Sequence, residues 1–151
     1  MRMFAVLAMA VAISAAPASA QGPQLVTKKS AHDAAETVAR LEAAIKKRGA
    51  AIVAKVDHAA AAKANGMELR PAVVVIFGNP KLGTPLMQSR PTAGLDLPMR
   101  VLVWQDGNGA VMVGYWAPAS LADAHGIKDR DAVIKTMGGA LDAITSEAAA
   151  R

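Results

Sequence analysis

The chain has 151 residues, no cysteine, and a formal net charge of +5 from 17 Lys and Arg against 12 Asp and Glu. Without cysteine, disulfides, thiolate nucleophiles, zinc–thiolate sites and covalent haem attachment are excluded. The positive charge is scattered rather than gathered into a basic stripe interleaved with aromatics, so nucleic acid is not an expected partner.

The N-terminal stretch MRMFAVLAMAVAISAAPASA has Arg2 as a positive start, an apolar run from Phe4 to Ala16, and a small-residue close at Ala18-Ser19-Ala20. That pattern predicts a secretory signal peptide over residues 1–20 and a single domain over 21–151. The expected protein is exported, and periplasmic if the host is a Gram-negative bacterium. No later run is long and apolar enough to suggest a membrane span after cleavage. The remaining 131 residues suffice for one core, and their net charge is +4 because the segment carries only Arg2.

Leu25 to Lys29 (LVTKK) reads as a short strand. Ser30 and Asp33 form an S-x-x-D helix-start signal, and Ala34, Val38, Leu41 and Ile45 follow at helical spacing. Glu36 with Arg40 and Glu42 with Lys46 are expected as i,i+4 pairs, and Gly49 as the left-handed helix end. Ala51 to Val56 reads as a second strand, then a short helix over AAAAKANG with Asp57 as its cap. AVVVIF (Ala72–Phe77) is apolar throughout, as in a strand buried on both faces. Pro80 to Arg90 allows a helical turn or two, and Pro91 to Pro98 an irregular stretch. RVLVW and AVMVGYW flank Asp106-Gly107-Asn108-Gly109, a hairpin signal. Val133, Met137, Leu141 and Ile144 mark a C-terminal helix weakened by Gly138-Gly139, which could instead permit close packing on the sheet.

A four-residue hairpin loop would put Leu102, Trp104, Val111 and Val113 on one face, with Val101, Val103, Met112 and Trp116 on the other. Both sets are apolar, so the face away from the helices is expected to be covered by the Pro80–Pro98 segment or by a second copy of the chain. The order strand, helix, four strands, helix predicts an α+β fold: a mainly antiparallel sheet with two main helices on one face.

Few side chains suggest chemistry. Gly78 to Thr84 faintly imitates a phosphate loop but lacks the lysine before the threonine; its alternatives are a simple turn or a small anion nest around Gly83-Thr84. His58 follows a strand end and could carry a proton or ligate a metal, or merely open the helix that Asp57 caps. His125 reads as a helix C-terminal histidine, and His32 as solvated. The methionines lack the clustering a copper site needs. No hydrolase or metalloprotease motif is present.

Asp57-His58, Leu69-Arg70-Pro71, Phe77-Gly78-Asn79-Pro80, Gly83-Thr84, Leu95-Asp96-Leu97-Pro98 and the aromatic Tyr115 occur in an order that resembles the domain of unknown function family 302. The resemblance extends from Leu25 to about Thr145. It implies a TT1751-like, TATA-binding-protein-like α+β fold and supplies no activity. It also sets a polar signature at His58, Asn79, Thr84 and Asp96, expected to form either a shared ligand site or a purely structural network; in the binding reading Met87 and Tyr115 are the walls of that site. The leading expectation is a non-enzymatic domain binding a small ligand or partner, with no catalytic residue, metal or cofactor assigned and a homo-oligomer allowed. The alternatives are an enzyme using His58 as general acid or base beside Asp96, and an assembly module pairing through an apolar sheet face.

Overall fold

A computed structural model describes residues 22–151. The expected signal segment lies outside the described residues. The elements run β1 (Leu25–Lys29), α1 (Ala34–Lys47), β2 (Ala51–Asp57), α2 (His58–Ala64), β3 (Ala72–Gly78), α3 (Pro80–Ser89), a 3-10 turn (Pro91–Leu95), β4 (Met99–Gln105), β5 (Val111–Trp116), α4 (Pro118–His125) and α5 (Asp131–Ala149). The strands form one sheet in the order β1-β5-β4-β3-β2, antiparallel at every pairing.

Helices α1 and α5 cover one face of this sheet. Leu41 and Ile45 from α1, and Leu141 and Ile144 from α5, pack on Val75, Val101, Val103, Val113 and Tyr115. A second cluster joins Leu86 of α3, Ala93, Leu121 and Ala122 of α4, Ile127 and Met137. The Pro80–Pro98 segment therefore packs with α4 and α5 on the helical side and does not cover the other face.

The hairpin register differs from the sequence reading. Leu102 pairs with Gly114, Val103 with Val113 and Trp104 with Met112, so Val101, Val103, Val111 and Val113 share the core face with Tyr115. Leu102, Trp104, Met112 and Trp116 point the other way. The reason is loop length. Asp106 N–H closes on the Ala110 carbonyl at 2.8 Å, and the Asp106 carboxylate accepts from the Asn108 and Ala110 N–H groups. The connection holds five residues rather than four, and a one-residue change inverts every side chain on a strand.

Asp33 is the N-cap of α1, its carboxylate accepting from Glu36 N–H at 2.8 Å, while the buried Ser30 hydroxyl bonds Thr37 instead. The expected i,i+4 pairs do not form, and each residue takes another partner. Arg40 reaches the carbonyls of Glu147, Ala148 and Ala150, Glu42 pairs with Lys55, and Glu36 with His32. His32 is not solvated: its Nε2 lies 2.7 Å from the Ala150 carbonyl. Arg40 and His32 thus meet the carbonyls that the end of α5 leaves unpaired. Gly138 and Gly139 do not serve close packing, since a methyl added at either would meet nothing within 4 Å.

Candidate functional site

Where β3 ends, the chain turns from sheet to helix, and this junction builds an apolar cavity. Gly78 closes β3, and Asn79 N-caps α3 by accepting the Lys81 N–H at 3.0 Å. Pro80 then fills the first helical position, where no N–H is needed. The Leu82 and Gly83 N–H groups donate to the Asn79 carbonyl. Ten residues are helical here, so there is neither a phosphate loop nor an anion nest at Gly83-Thr84: the helix consumes the donors a nest would offer. A methyl on Gly78 would stand 3.3 Å from the Pro98 side chain, so glycine lets the chain entering β4 approach closely.

The resulting cavity measures about 460 Å³, between α3, α5 and the β2–β3 edge. Its walls are apolar, chiefly Leu82, Met87, Met99, Met137, Leu141 and Ile144. Val53 contributes too. It is the extra residue of a bulge in β2 between Ile52 and Ala54, and such bulges redirect side chains beside sites. The polar side chains in the lining are Arg48, Asn79 and Thr84.

These three groups present mainly hydrogen-bond donors. The Asn79 side-chain carbonyl is occupied by the helix cap, leaving its amide as donor. Arg48 spends one guanidinium nitrogen on the Ala44 carbonyl and Glu147, at 3.2 and 2.8 Å, and its others have no partner among the described residues. The Thr84 hydroxyl likewise has none among them. Glu147 accepts from Arg48 and Lys47, contacts that hold its carboxyl below the usual range, so two cations share one carboxylate beside the cavity.

The six residues expected to form a site separate into three groups. Asn79, Thr84 and Met87 line the cavity. His58 does not join them. It is exposed at the first position of α2, which Asp57 caps through the Ala60 N–H at 2.9 Å. Asp57 pairs with Val73 and Ala51 with Gly78, so His58 and Asn79 sit at opposite ends of β3, about 20 Å apart at ~3.3 Å per residue. Tyr115 is no cavity wall; it is buried on the core face of β5. Its phenol is raised above the ordinary value, first by burial and then by the charge of Asp142, with the Thr145 hydroxyl opposing.

Asp96 lies outside the cavity lining and takes part in a network the sequence did not reveal. Its carboxylate meets His125 Nε2 at 2.7 Å and Arg100 at 3.4 Å, while His125 Nδ1 meets the Thr92 hydroxyl at 3.0 Å. Thr92 and Asp96 flank one turn, and the His125 side chain, 10% exposed, clasps both. The arrangement pins the 3-10 turn to the end of α4. His58 and Asp96 lie toward opposite ends of β3, so the expected acid–base pair does not form. Among the described residues, no group of three or more His, Cys, Asp or Glu could hold a metal.

An antiparallel five-stranded sheet backed by helices, with an apolar cavity where strand passes to helix, defines a small α+β domain. The family model described as "Domain of unknown function DUF302" matches residues 26–144, and the chain belongs to that family. A crystal structure of an uncharacterized conserved DUF302 protein from Bacillus stearothermophilus superposes with a TM-score of 0.76, covering 82% of this chain and 97% of that one. Its 20% identity makes this a likeness of fold. Curated relatives from Brucella suis and Brucella abortus, each called "Fluoride-specific ion channel FluC 1", are 44% identical over 126 residues, which is 83% of this chain. The chain spans about half the length of these relatives, 50% and 47% respectively.

Proposed function

We propose that this is a non-enzymatic binding domain whose ligand is an amphipathic small molecule, apolar in its body and anionic at one end. The cavity carries this reading. Its volume of about 460 Å³ falls within the range of small-molecule sites, and apolar walls converge on the few polar groups Arg48, Asn79 and Thr84. A donor-rich, positively charged mouth suits a carboxylate, because charge-assisted hydrogen bonds are the strong ones. The three methionines adapt to ligands of differing shape.

No described helix is long and apolar enough to cross a membrane. In this reading the half of the Brucella relatives that this chain matches is a ligand-binding attachment to the channel for which they are named. Fluoride itself suits the cavity poorly, since a small hydrated anion loses its water against thioethers and leucines without compensation. The N-terminal segment supports export, with the periplasm as the compartment in a host with an outer membrane; the N-terminal residue of protein recovered from cells tests this.

The test of the binding reading is native mass spectrometry and thermal unfolding with a panel of aliphatic and aromatic carboxylic acids. A bound acid at one hundred times its Kd should stabilise by about 2.7 kcal/mol. Ala140→Trp, which fills the cavity from α5, should fold and abolish the shift. An unliganded wild-type protein indifferent to every acid in the panel sinks the reading.

A further inference from the structure

We infer that the sheet face turned away from the helices is the surface on which two copies of this chain pack. The chain has two tryptophans, and neither lies in the core. Trp104 pairs with Met112, and Trp116 with Leu25, all on the face opposite Val103 and Val113. Gly114 lies between them on β5. A methyl there would come within 2.9 Å of the Trp104 ring, so the indole lies flat across the bare strand. Its other side is turned outward. Trp116 is 49% exposed and Leu25 50%. A chain this poor in aromatics has placed its bulkiest side chains where no described helix covers them.

The face is also poor in charge. Lys29 ends β1, and Arg100 near the start of β4 is drawn toward Asp96. Depletion of charge with enrichment of tryptophan and methionine is the composition of an interface core. The area suffices as well. Five strands ~4.8 Å apart, with residues rising ~3.4 Å each, give a face of about 24 by 20 Å, or ~500 Å² per copy. Two copies together reach the ~1,000 Å² that a specific interface needs.

The shape of the face argues for a second copy over another occupant. Its two halves differ. The β5–β1 half is a ridge carrying Trp116, Leu25 and Met112. The β2–β3 half is low, with Ala54, Val56, Val74 and Ile76. The middle strand of the sheet is β4. A two-fold axis parallel to β4, between the facing sheets, brings β1 over the partner's β2 and the ridge over the trough. Trp116 is level with Arg100, Ile76 and Ala54 across the sheet, and Leu25 is level with it on β1, so Trp116 lands over Ile76 of the other copy and Leu25 over Ala54. An axis across the strands would set ridge on ridge. The face is thus complementary to itself under one symmetry, as an isologous dimer requires. It lies on the opposite side of the sheet from the cavity, so this inference does not depend on the proposed ligand.

Light scattering and sedimentation of the full chain across a wide dilution series test it. Wild type should show the mass of two chains, falling toward one on dilution, with tryptophan emission moving to longer wavelength as the dimer parts. Trp116→Glu removes the ridge, and Ala54→Trp fills the trough at a position exposed in the single chain. Each should give a single-chain mass throughout with wild-type circular dichroism; should Trp116→Glu fail to fold, Ala54→Trp decides. A wild type that stays one chain at every concentration overturns the inference, including one that instead binds lipid vesicles. So does a dimer that survives both substitutions.

Discussion

Gly114→Ala is the substitution whose consequence follows most directly from the geometry. The new methyl would sit 2.9 and 3.0 Å from two Trp104 ring carbons and 3.1 Å from the Val26 carbonyl oxygen. The oxygen belongs to the β1–β5 ladder and cannot withdraw without loosening Val26↔Tyr115 and Thr27↔Gly114. The ring must therefore swing outward. Overpacking of this kind costs about 1–3 kcal/mol. Replacing glycine within a strand returns roughly 0.5–1 kcal/mol of backbone entropy. The net loss should be about 1–2 kcal/mol, or a fall in Tm of roughly 4–8 °C for a domain of this size. Thermal unfolding with tryptophan emission measures both consequences, and the emission should shift to longer wavelength as Trp104 leaves the strand. Trp104→Leu in the same chain should recover part of the loss, because the two changes share one contact. Unchanged Tm and unchanged emission in Gly114→Ala would refute the placement of Trp104.

Other expectations touch separate parts of the fold. Gly139→Ala should stabilise by about 1 kcal/mol in thermal unfolding, since the position lies inside α5 with open space around the added methyl. His125→Ala should cost about 1–3 kcal/mol in urea unfolding through its lost bonds to Asp96 and Thr92, while leaving ligand affinity unchanged because neither partner lines the cavity. Tyr115 titrates above its ordinary value in the folded chain, so its contribution is whole below pH ~10 and declines as pH rises through the folded value. Stability should therefore fall at alkaline pH, and Tyr115→Phe should flatten that fall. Tyr115 is the one tyrosine, so tyrosinate absorbance reports its titration directly.

Local signals carried most of the fold. The stripe Val38, Leu41, Ile45 is determined within a few residues of α1 and appears in the structure, while of the S-x-x-D signal only Asp33 caps the helix. The faces of β4 and β5 were misread because they depend on a count of turn residues, and one residue inverts the sheet. Arg40 and Lys46 looked like partners of their own helix's glutamates, whereas Arg40 serves the last carbonyls of α5, more than a hundred residues away. Nothing within α1 announces that contact.

The site was half legible for the same reason. Asn79, Thr84 and Met87 share one helix, so their common cavity follows from local structure. His58 was grouped with them because it lies near a strand end, but antiparallel strands place alternate ends at opposite edges of the sheet; Asp96 lies at the same end as Asn79, where His125 and Arg100 hold its carboxylate outside the cavity. Arg48 and the bulged Val53 went unnoticed. Arg48 reads as an ordinary helix-ending cation, and the bulge leaves no mark in AIVAKV. The His125 network might have been suspected from a histidine at a helix end, yet its partner was set by tertiary packing alone.

Paired calorimetric titrations of an apolar carboxylic acid and the matching alcohol into wild type and Arg48→Met address the binding reading most directly. The substitution keeps an unbranched apolar side chain and removes the charge, while Lys47 remains to pair with Glu147. A charge-assisted bond contributes about 1.5–3 kcal/mol, so wild type should prefer the acid by about ten- to a hundred-fold. That preference should collapse in Arg48→Met while the alcohol binds unchanged. Equal affinity of wild type for acid and alcohol, or no binding of either, would contradict the account.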